Sequence, residues 1–579
     1  MKTECGFIGT YTTKPISKED LYYTLAEIQH RGQDSYGFIS IHASNSNATG
    51  FETRITKEKG LLPEIENLDL HGYNTGASAS ASARLDKTET GILFLGHMSH
   101  STNTTGENLD TSLTECNIQP VEISKEYGIY IAHNGNLPNL KDNMQRLGLG
   151  QYYRNSMSDT YLFKVIWNIK FAGRFGVDGA TCKLEDILEY LKYIIMNVVG
   201  AYSCVMTFCE PVEKCSSSTA HTSSARVSVS SISSNMSDVG SSSDESTSLE
   251  TSTDSRNINS AYKFYLLGFR DRYGYKPLSI GSLESNYCFF SESVQLQHYK
   301  YFISDVGPGE IWYSENNKKP LLLGRIRDNA RDNPTSFGFI CSLEPIYFMK
   351  KETLLFYGNT TVNNFRRRLG IELAKSDIYN LSYSLNPGNP YDNYYEATQT
   401  LKKRIILYVP DSAYSIALGY NDMLGKWLRT DLIIKNQNVC SFIENTQEAR
   451  EAREGKFTFN DKGIAALGDT EIVLIDDTIV RGDTMRYLIG ELYKRNPVLK
   501  IHVRIGSPRI VKECSFGIDL YDDELIAAKE PDLARWLNVA SVEFLDRNTL
   551  AGVFAKYNMM NCQHCFGVSN KYNLKTLEW

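Results

Sequence analysis

The stretch Glu471–Met485, which reads E-I-V-L-I-D-D-T-I-V-R-G-D-T-M, decides the fold of the second half of the chain. Its run of branched apolar residues, Ile472 to Ile475, predicts a buried strand of a parallel sheet. Two carboxylates, Asp476 and Asp477, follow at the carboxyl end of this strand. A short turn then leads to a segment with helical spacing from Met485 to Tyr493. Because open α/β sheets bind ligands at the carboxyl ends of their strands, the stretch predicts a binding site.

The chemistry of this stretch suits a sugar phosphate. Backbone N–H groups at a helix N-terminus bind phosphate. Carboxylates accept hydrogen bonds from sugar hydroxyls and can hold a hard cation such as Mg²⁺. A phosphorylated ribose with Mg²⁺ fits both features, whereas a bare pair of acids without this context favours an ordinary turn with exposed side chains.

From about Ile340 onward, predicted strands alternate with predicted helices, as in a parallel α/β sheet. A helix is predicted over Val362–Ala374, a strand over Ile405–Val409 and another over Ile501–Gly506. Strands that alternate with helices in this way indicate βαβ units. The sequence Pro410-Asp411-Ser412 follows the first of these strands, at the sheet edge where the acid pair is expected.

These segments resemble the phosphoribosyl pyrophosphate (PRPP) loop and domain of type I phosphoribosyltransferases. The resemblance implies that Asp476 and Asp477 contact the ribose and its Mg²⁺, with Ser412 adding a metal oxygen. It also implies that four residues wrap the 5′-phosphate, namely Arg481, Gly482, Asp483 and Thr484. Lys435 would begin a mobile loop that closes on PRPP. That loop reads K-N-Q-N-V-C-S-F-I here, against K-N-R-Y-V-G-R-T-F-I in the family, and the loss of two arginines predicts slow or absent transfer.

The first half of the chain opens on a short apolar segment, Cys5-Gly6-Phe7-Ile8-Gly9. Alone, this segment is compatible with a buried structural cysteine. The alternative is an N-terminal nucleophile whose own α-amino group acts as the base, which requires removal of Met1–Glu4.

The motifs that follow Cys5 favour the nucleophile. They are Gln29–Ser35 after a predicted helix, Gly96-His97 after the strand 91–95, Ala132–Leu137 after the strand 128–131, and Ser158-Asp159 before a helix. In this order they resemble the glutaminase domain of class II glutamine amidotransferases, an N-terminal-nucleophile (Ntn) αββα sandwich.

The resemblance implies a role for each matched residue. Cys5 would attack the side-chain amide of glutamine, Asn134 and the Gly135 N–H would form the oxyanion hole, and Asp159 would pair with the substrate ammonium. The family arginine that holds the glutamine carboxylate is replaced by Ser99, and a serine cannot form that two-pronged ion pair. Weak glutamine use is therefore expected, or a substitute cation, for which Arg31 is the candidate. His30, His97 and His133 are expected to be structural.

Taken together, the two halves resemble the amidophosphoribosyltransferase family. The expected architecture is α+β followed by α/β: a glutaminase domain over 5–325, a phosphoribosyltransferase domain over 335–530 and a C-terminal extension over 531–579. A serine-rich tract at about 215–260 has few large apolar residues and is predicted to be a disordered insertion at a hairpin tip.

Four cysteines form a candidate metal site. Cys562 and Cys565 have a C-x-x-C spacing, which alone is a weak signal. The family resemblance places Cys341 and Cys514 at the other two ligand positions of a [4Fe–4S] cluster that some members carry. A Cys₄ zinc site is the chemical alternative.

Composition excludes several other classes of protein. The net charge of −7 over 579 residues argues against a broad nucleic-acid surface. Apolar stretches are too short to span a bilayer, and the first residues show no leader pattern, so a soluble cytoplasmic protein is expected.

The family resemblance implies transfer of glutamine-derived ammonia to PRPP to give 5-phosphoribosylamine, the first step of purine synthesis. It also implies purine nucleotides as inhibitors and a homotetramer. Two alternatives stay open: an enzyme that uses only ammonia, and a catalytically impaired homologue that binds nucleotides or acts as a scaffold.

Overall fold

The computed structural model of the protein describes a defined part of the chain. The described residues are 5–13, 16–44, 50–68, 70, 91–99, 118–137, 140–155, 157–175, 181–212, 262–296, 300–326, 338–425, 428–436, 455–514, 516, 518, 520 and 525–568. Three segments discussed above lie outside them: Met1–Glu4, whose removal an N-terminal nucleophile requires, the serine-rich tract 215–260, and the loop after Asn436.

Two antiparallel sheets build the first half of the chain. Among the described residues, the first sheet has in spatial order the strands Lys300–Asp305, Ser279–Leu283, Asn286–Phe290, Gly6–Thr12, Ile92–Ser99, Ser35–Ala43 and Phe51–Lys59. The second has Leu321–Arg325, Glu310–Glu315, Tyr262–Arg270, Ala201–Pro211, Ile129–Asn136 and Val121–Ser124. Side chains from both sheets, such as Phe7, Leu95, Ala132 and Val205, share one core, so the sheets are stacked face to face.

Helices cover both outer faces of this pair of sheets. Leu21 and Leu25 of the helix Lys18–Ala26 pack on the first sheet. The helices Tyr161–Ile166 and Leu184–Asn197 pack on the second. The predicted αββα sandwich is confirmed.

A parallel sheet organises the second half, as predicted. In the part of this half that the structure describes, its strands are Ile405–Tyr408, Glu471–Asp476, Lys500–Ile505 and Ser541–Phe544, in that spatial order. The strand Glu471–Asp476 is apolar on both faces. Val473 and Ile475 pack in one layer with the helices Val362–Leu385 and Tyr414–Leu424. Ile472 and Leu474 pack in the other layer with Asp483–Arg495. Burial on both faces explains why the sequence shows a continuous apolar run.

Shorter elements complete the chain. The further helices described are Leu140–Arg146, Tyr394–Lys403, Asp461–Ala465, Ile526–Lys529, Leu533–Leu537 and Arg547–Ala555. The small strand pairs are Gly338–Cys341 with Met559–Cys562, Leu354–Leu355 with Thr360–Thr361, and Ile433–Lys435 with Phe457–Phe459. Of the helices in the described residues, none is both long and apolar enough to cross a membrane.

Several elements extend beyond their predicted ends. The strand predicted to end at residue 95 continues to Ser99, and the one predicted to end at residue 131 continues to Asn136. Both extensions are polar, but their backbones pair with neighbouring strands, as in Ser35 with Ser99 and Asn136 with Ala201. The strands that flank the serine-rich tract pair from Ser203 with Arg270 to Pro211 with Tyr262, so the tract joins the ends of an antiparallel pair.

Candidate active sites

The proposed nucleophile lies at the entrance to the central strand of the first sheet. Cys5 directly precedes Gly6–Thr12 and is 9% exposed. The strand is held on both sides, since Gly6 pairs with Met98 and Ile8 with Phe290. The sheet therefore constrains the position of the Cys5 backbone.

Asn134 lies in a strand of the second sheet and has unused hydrogen-bonding capacity. It is fully buried, and neither its amide nitrogen nor its amide oxygen has a hydrogen-bond partner among the described residues. Leaving a buried polar group unpaired costs about 1–3 kcal/mol, so such a group in a native structure requires an explanation. A ligand that accepts a hydrogen bond from this amide supplies one.

Gly135 is required beside this amide. Its φ is +151°, and a Cβ at this position would lie 2.0 Å from the carbonyl oxygen of Ala201. No other residue could be placed there without moving the neighbouring strand. Gly135 directly follows Asn134 in the same strand, which is compatible with an oxyanion hole formed by the two residues.

Asp159 is held in a fixed orientation at the start of the next helix. Its Oδ2 accepts from the backbone N–H of Leu137 at 3.0 Å, and its Oδ1 accepts from that of Thr160 at 2.7 Å. The side chain is 12% exposed and so keeps contact with solvent. A carboxylate in this position can meet a substrate ammonium.

His97 and His133 lie buried beside these residues. His97 Nε2–H donates to the carbonyl oxygen of His133 at 3.0 Å, which leaves His97 Nδ1 to accept from the hydroxyl of Ser99, also at 3.0 Å. Burial lowers the pKa of His97 to about 3 and also lowers that of His133, so both rings are neutral. The Ser99 hydroxyl therefore bonds a neighbouring residue of its own strand, and Ser99 supplies no positive charge for a substrate.

The geometry argues against Arg31 as the substitute cation for glutamine. Its side chain is fully buried, with Nε donating to the Cys5 carbonyl at 3.0 Å. Its Nη1 donates to Glu292 at 2.5 Å, and its Nη2 donates to Glu344 at 3.1 Å. A guanidinium that is engaged on three sides would have to break these bonds to reach a substrate carboxylate.

The acid pair of the second half is buried, and neighbouring positive charge and hydrogen bonds compensate it only in part. Asp476 and Asp477 are 7% and 2% exposed, respectively. Burial, followed by the charge of Asp477, raises the pKa of Asp476 well above its usual value. Burial also raises the pKa of Asp477, although hydrogen bonds from Ser412 and Thr478 oppose the effect. Oδ2 of Asp477 has no hydrogen-bond partner in the described part of the chain, which suits a cation or a hydroxyl donor.

The turn after the acid pair leads into a helix N-terminus that faces solvent. Gly482 has a φ of +79°, and a Cβ there would lie 2.8 Å from the ring of Trp536. Arg481, Asp483 and Thr484 are exposed around the first turn of Asp483–Arg495. The positive end of the helix dipole and its exposed N–H groups make this turn an anion site.

Lys435 lies on the same side of the sheet as these groups. Its Nζ is 3.0 Å from Oδ2 of Asp411, which follows the strand Ile405–Tyr408. Lys435 ends one strand of the pair Ile433–Lys435 and Phe457–Phe459, between which the predicted mobile loop lies outside the described residues. The structure thus brings the ends of two parallel strands and the base of this loop together.

The four candidate metal-ligating cysteines line one cavity. Cys341 and Cys562 are partners in the parallel strand pair, and Cys514 and Cys565 lie on the same cavity wall. No group of three or more His, Cys, Asp or Glu side chains in the described residues is already arranged to hold a metal ion. The donor set fits an iron–sulfur cluster in its chemistry, because four cysteines line one cavity, which is otherwise lined by Tyr275, Lys276, Phe516, Ile518 and His564.

Sequence reasoning missed several supports of both sites. Tyr347 and Arg366 lie near the acid pair and interact with it electrostatically. The ring of Trp536 packs under Gly482, while Arg486 lies 4.5 Å above that ring. Glu344 was detectable in principle, since a lone carboxylate within the apolar run from Phe339 to Phe348 signals a buried charge that needs a partner.

Comparisons with known proteins give relatives of one kind. The chain is 25% identical over 588 residues to an amidophosphoribosyltransferase of Methanocaldococcus jannaschii, covering 98% of this chain and 97% of that protein. It is 24% identical to the Escherichia coli amidophosphoribosyltransferase over 556 residues, covering 94% and 88%. No protein-family model matches the chain.

Solved structures agree with the sequence comparisons. A glutamine PRPP amidotransferase from Bacillus subtilis complexed with ADP and GMP superposes with a TM-score of 0.64 at 22% identity, covering 98% of this chain and 97% of that one. A second structure, described as the allosteric regulatory enzyme of purine biosynthesis, gives a TM-score of 0.65 with 98% and 96% coverage. These comparisons confirm the resemblance seen in the motifs: over nearly its whole length, the chain is similar to amidophosphoribosyltransferases.

Proposed function

We propose that this protein is an amidophosphoribosyltransferase that transfers glutamine-derived ammonia to PRPP and yields 5-phosphoribosylamine, the first step of purine synthesis. One observation carries the proposal. A single chain holds two features: in one half, a buried cysteine and a buried amide without a hydrogen-bond partner among the described residues, and in the other half, a buried and only partly compensated acid pair beside a phosphate-binding turn.

In the first half, the thiol of Cys5 attacks the side-chain amide carbon of glutamine. The amide N–H of Asn134 and the backbone N–H of Gly135 hold the oxyanion that develops. The carbon–nitrogen bond breaks, ammonia leaves, and water hydrolyses the thioester to glutamate. Asp159 orients the substrate through its ammonium group.

In the second half, the ammonia nitrogen bonds to C1 of PRPP as the bond to pyrophosphate breaks. Asp476 and Asp477 receive the ribose hydroxyls, and Arg481 to Thr484 receive the 5′-phosphate. Mg²⁺, when bound through these acids and Ser412, offsets the charge of the leaving pyrophosphate. Lys435 supplies a further positive charge at the base of the loop.

The test is incubation of the full-length protein with PRPP and Mg²⁺, with either glutamine or ammonium as nitrogen donor, and measurement of pyrophosphate release. Release with both donors is expected. Cys5→Ala should abolish release with glutamine and leave release with ammonium. Absence of release with both donors in the unaltered protein would overturn the proposal.

A second candidate is an enzyme that uses ammonium only. It is favoured by two observations: Ser99 donates its hydroxyl to His97, and the guanidinium of Arg31 is engaged by Cys5, Glu292 and Glu344. Neither side chain is then available to a glutamine carboxylate. Release with ammonium but not with glutamine identifies this case.

We further propose a [4Fe–4S] cluster held by Cys341, Cys514, Cys562 and Cys565. Their shared cavity supports it, and zinc is the rival occupant. Iron and zinc quantitation after purification without air distinguishes the two. Cys341→Ser should lower the metal content, whereas Cys288→Ser, a change at a buried cysteine outside this cavity, should not.

Two properties of the relatives are extended to this chain as proposals. Since a neighbouring structure holds ADP and GMP, we propose that purine nucleotides inhibit the transfer reaction. We also propose a cytoplasmic homotetramer. Inhibition assays with GMP and ADP, light scattering and cell fractionation are the respective tests.

A further inference from the structure

The two halves of the protein meet at a cluster of buried charges. Arg31, Lys276, Glu292 and Glu344 have side chains that are at most 1% exposed. Arg31 lies 2.5 Å from Glu292 and 3.1 Å from Glu344, and Nζ of Lys276 lies 3.7 Å from Glu344. Burying ions is unfavourable unless their geometry is well matched, and a hydrophobic contact would be an easier way to join two domains. The buried ion pairs therefore indicate that this contact must hold a group in a fixed geometry.

This cluster of charges holds the backbone of Cys5. Nε of Arg31 donates to the Cys5 carbonyl oxygen at 3.0 Å. Because a guanidinium is planar, its two carboxylate partners fix the direction in which Nε points. The carbonyl group, the α-amine and the thiol of Cys5 share one Cα, so a rotation of the carbonyl would also displace the nucleophile and its base.

One of the two carboxylates belongs to the second half of the chain. Glu292 follows a strand of the first half, and its Oε2 also accepts from the Thr353 hydroxyl at 2.6 Å. Glu344 opens the turn Glu344–Phe348, shortly after Cys341. Removing the charge of Glu344 would leave Glu292 in place but would free Arg31 on one side.

The turn that begins at Glu344 also supports the phosphoribosyl site. Carbonyl oxygens at its two ends, those of Pro345 and Met349, accept from Nε and Nη2 of Arg366 at 2.8 Å each. The positive charge of Arg366 in turn favours the ionised form of Asp477. A single turn thus touches the supports of both sites.

We propose that Glu344 is a positioning residue for the glutaminase nucleophile: it holds Arg31, and through Arg31 it sets the backbone of Cys5. The glutaminase site is then incomplete without a residue of the second half. This inference rests on the proposed glutaminase chemistry of Cys5.

The test compares Glu344→Gln with Glu396→Gln, a change at an exposed glutamate of the same half, in the full-length protein. Three rates are measured: alkylation of Cys5 by iodoacetamide across pH, located by peptide mass spectrometry; glutamine hydrolysis; and transfer with ammonium. Glu344→Gln should lower kcat for glutamine by about 10- to 100-fold, the size of one charge-assisted hydrogen bond, with KM within about twofold. Alkylation should slow, and transfer with ammonium should be unchanged.

A second pair of variants guards against misfolding. Arg31→Lys keeps the positive charge but loses the planar fork, so it should show the same loss of kcat. Glu344→Asp keeps the carboxylate and should restore part of it. An unchanged kcat in Glu344→Gln, or a parallel loss of transfer with ammonium, would overturn the inference. If the unaltered protein hydrolyses no glutamine, the glutamine limb of the proposed function fails, yet equal alkylation rates in the variants would still refute the role of Glu344.

Discussion

The two candidate sites differ in what the folded protein leaves unsatisfied. In the first half, Asn134 is fully buried and has an amide without a hydrogen-bond partner among the described residues, while the neighbouring histidines are neutral. In the second half, Asp476 and Asp477 are buried side by side and their pKa values are raised. In the described part of the chain, the first site lacks an acceptor for a hydrogen bond, and the second has too little positive charge to offset its two acids.

This difference matches the chemistry proposed for each half. A neutral amide that becomes an oxyanion needs directed donors in a fixed frame, and strands paired on both sides supply such a frame. A sugar pyrophosphate brings a cation and many negative charges, so its site is built from acids, a helix N-terminus and a loop base. A substitution that removes the unpaired polar group or the buried charge should raise the stability of the ligand-free protein and remove activity.

The largest effect is expected from Asp477→Asn. Transfer should fall by at least about 100-fold with both nitrogen donors, because the variant loses a charge that is proposed to face the ribose and Mg²⁺. A carboxyl whose pKa is raised on folding costs stability once the pH exceeds its unfolded value near 3.8, and the cost grows as pH rises through the folded value. The variant should therefore have a higher Tm than the unaltered protein at pH 7 without Mg²⁺.

Asp469→Asn is the matched control, since Asp469 is exposed just before the same strand. It should leave both transfer and Tm unchanged. A lower Tm for Asp477→Asn would show that the acid pair is compensated, and the contrast between the two halves would fail.

The next largest effect is expected from Asn134→Ala. Glutamine hydrolysis should fall by about 10²- to 10³-fold, as when one oxyanion donor is removed. Because the replaced amide has no hydrogen-bond partner among the described residues, unfolding by urea should show no loss of stability beyond that of the small cavity. Transfer with ammonium in the same variant is the internal control. Hydrolysis at the normal rate would exclude Asn134 from the oxyanion hole.

Local signals in the sequence were sufficient for most of the fold. The run Ile472–Ile475 has an apolar side chain at every position, which only burial on both faces explains, and both faces are buried. The acid pair at its end and Gly482 before the next helix lie where the pattern placed them. The polar ends of Ile92–Ser99 and Ile129–Asn136 were missed because hydrogen bonding to neighbouring strands, and not side-chain pattern, extends those strands.

The joint between the halves could not be read from local pattern. Arg31 is separated by 261 residues from Glu292 and by 313 from Glu344, so no periodicity connects them. Arg31 was named as a candidate substitute cation because Ser99 replaces the family arginine that holds the glutamine carboxylate. Only the three-dimensional structure shows that two carboxylates and a backbone carbonyl already occupy it.

A smaller effect is expected from Ser99→Arg, which tests whether the first half lacks a cation for glutamine. If it does, KM for glutamine should fall by about 10- to 100-fold, the value of one charge-assisted contact. Ser99→Ala is the control, because it removes the hydroxyl bonded to His97 without adding charge and should not lower KM. An unaltered protein that binds glutamine tightly, with no gain in Ser99→Arg, would show that another group fulfils this role.

The smallest effect is expected at the amino ends of the parallel strands in the second half, on the side of the sheet opposite to Asp476 and Asp477. His502 bonds Ser541 at 2.8 Å and Glu471 at 3.2 Å, and burial, with the charges of Arg404 and Arg504, lowers its pKa from 6.5 to about 4. A histidine with a depressed pKa stabilises the fold above pH 6.5, and this contribution is lost as pH falls toward 4. His502→Gln should therefore reduce the difference in Tm between pH 7 and pH 5 by about 2–4 °C, which corresponds to about 1 kcal/mol. If the pH dependence is unchanged, protonation of other groups governs acid sensitivity, such as that of the more deeply buried His97. The first half, which contains His97, would then be the less acid-resistant of the two.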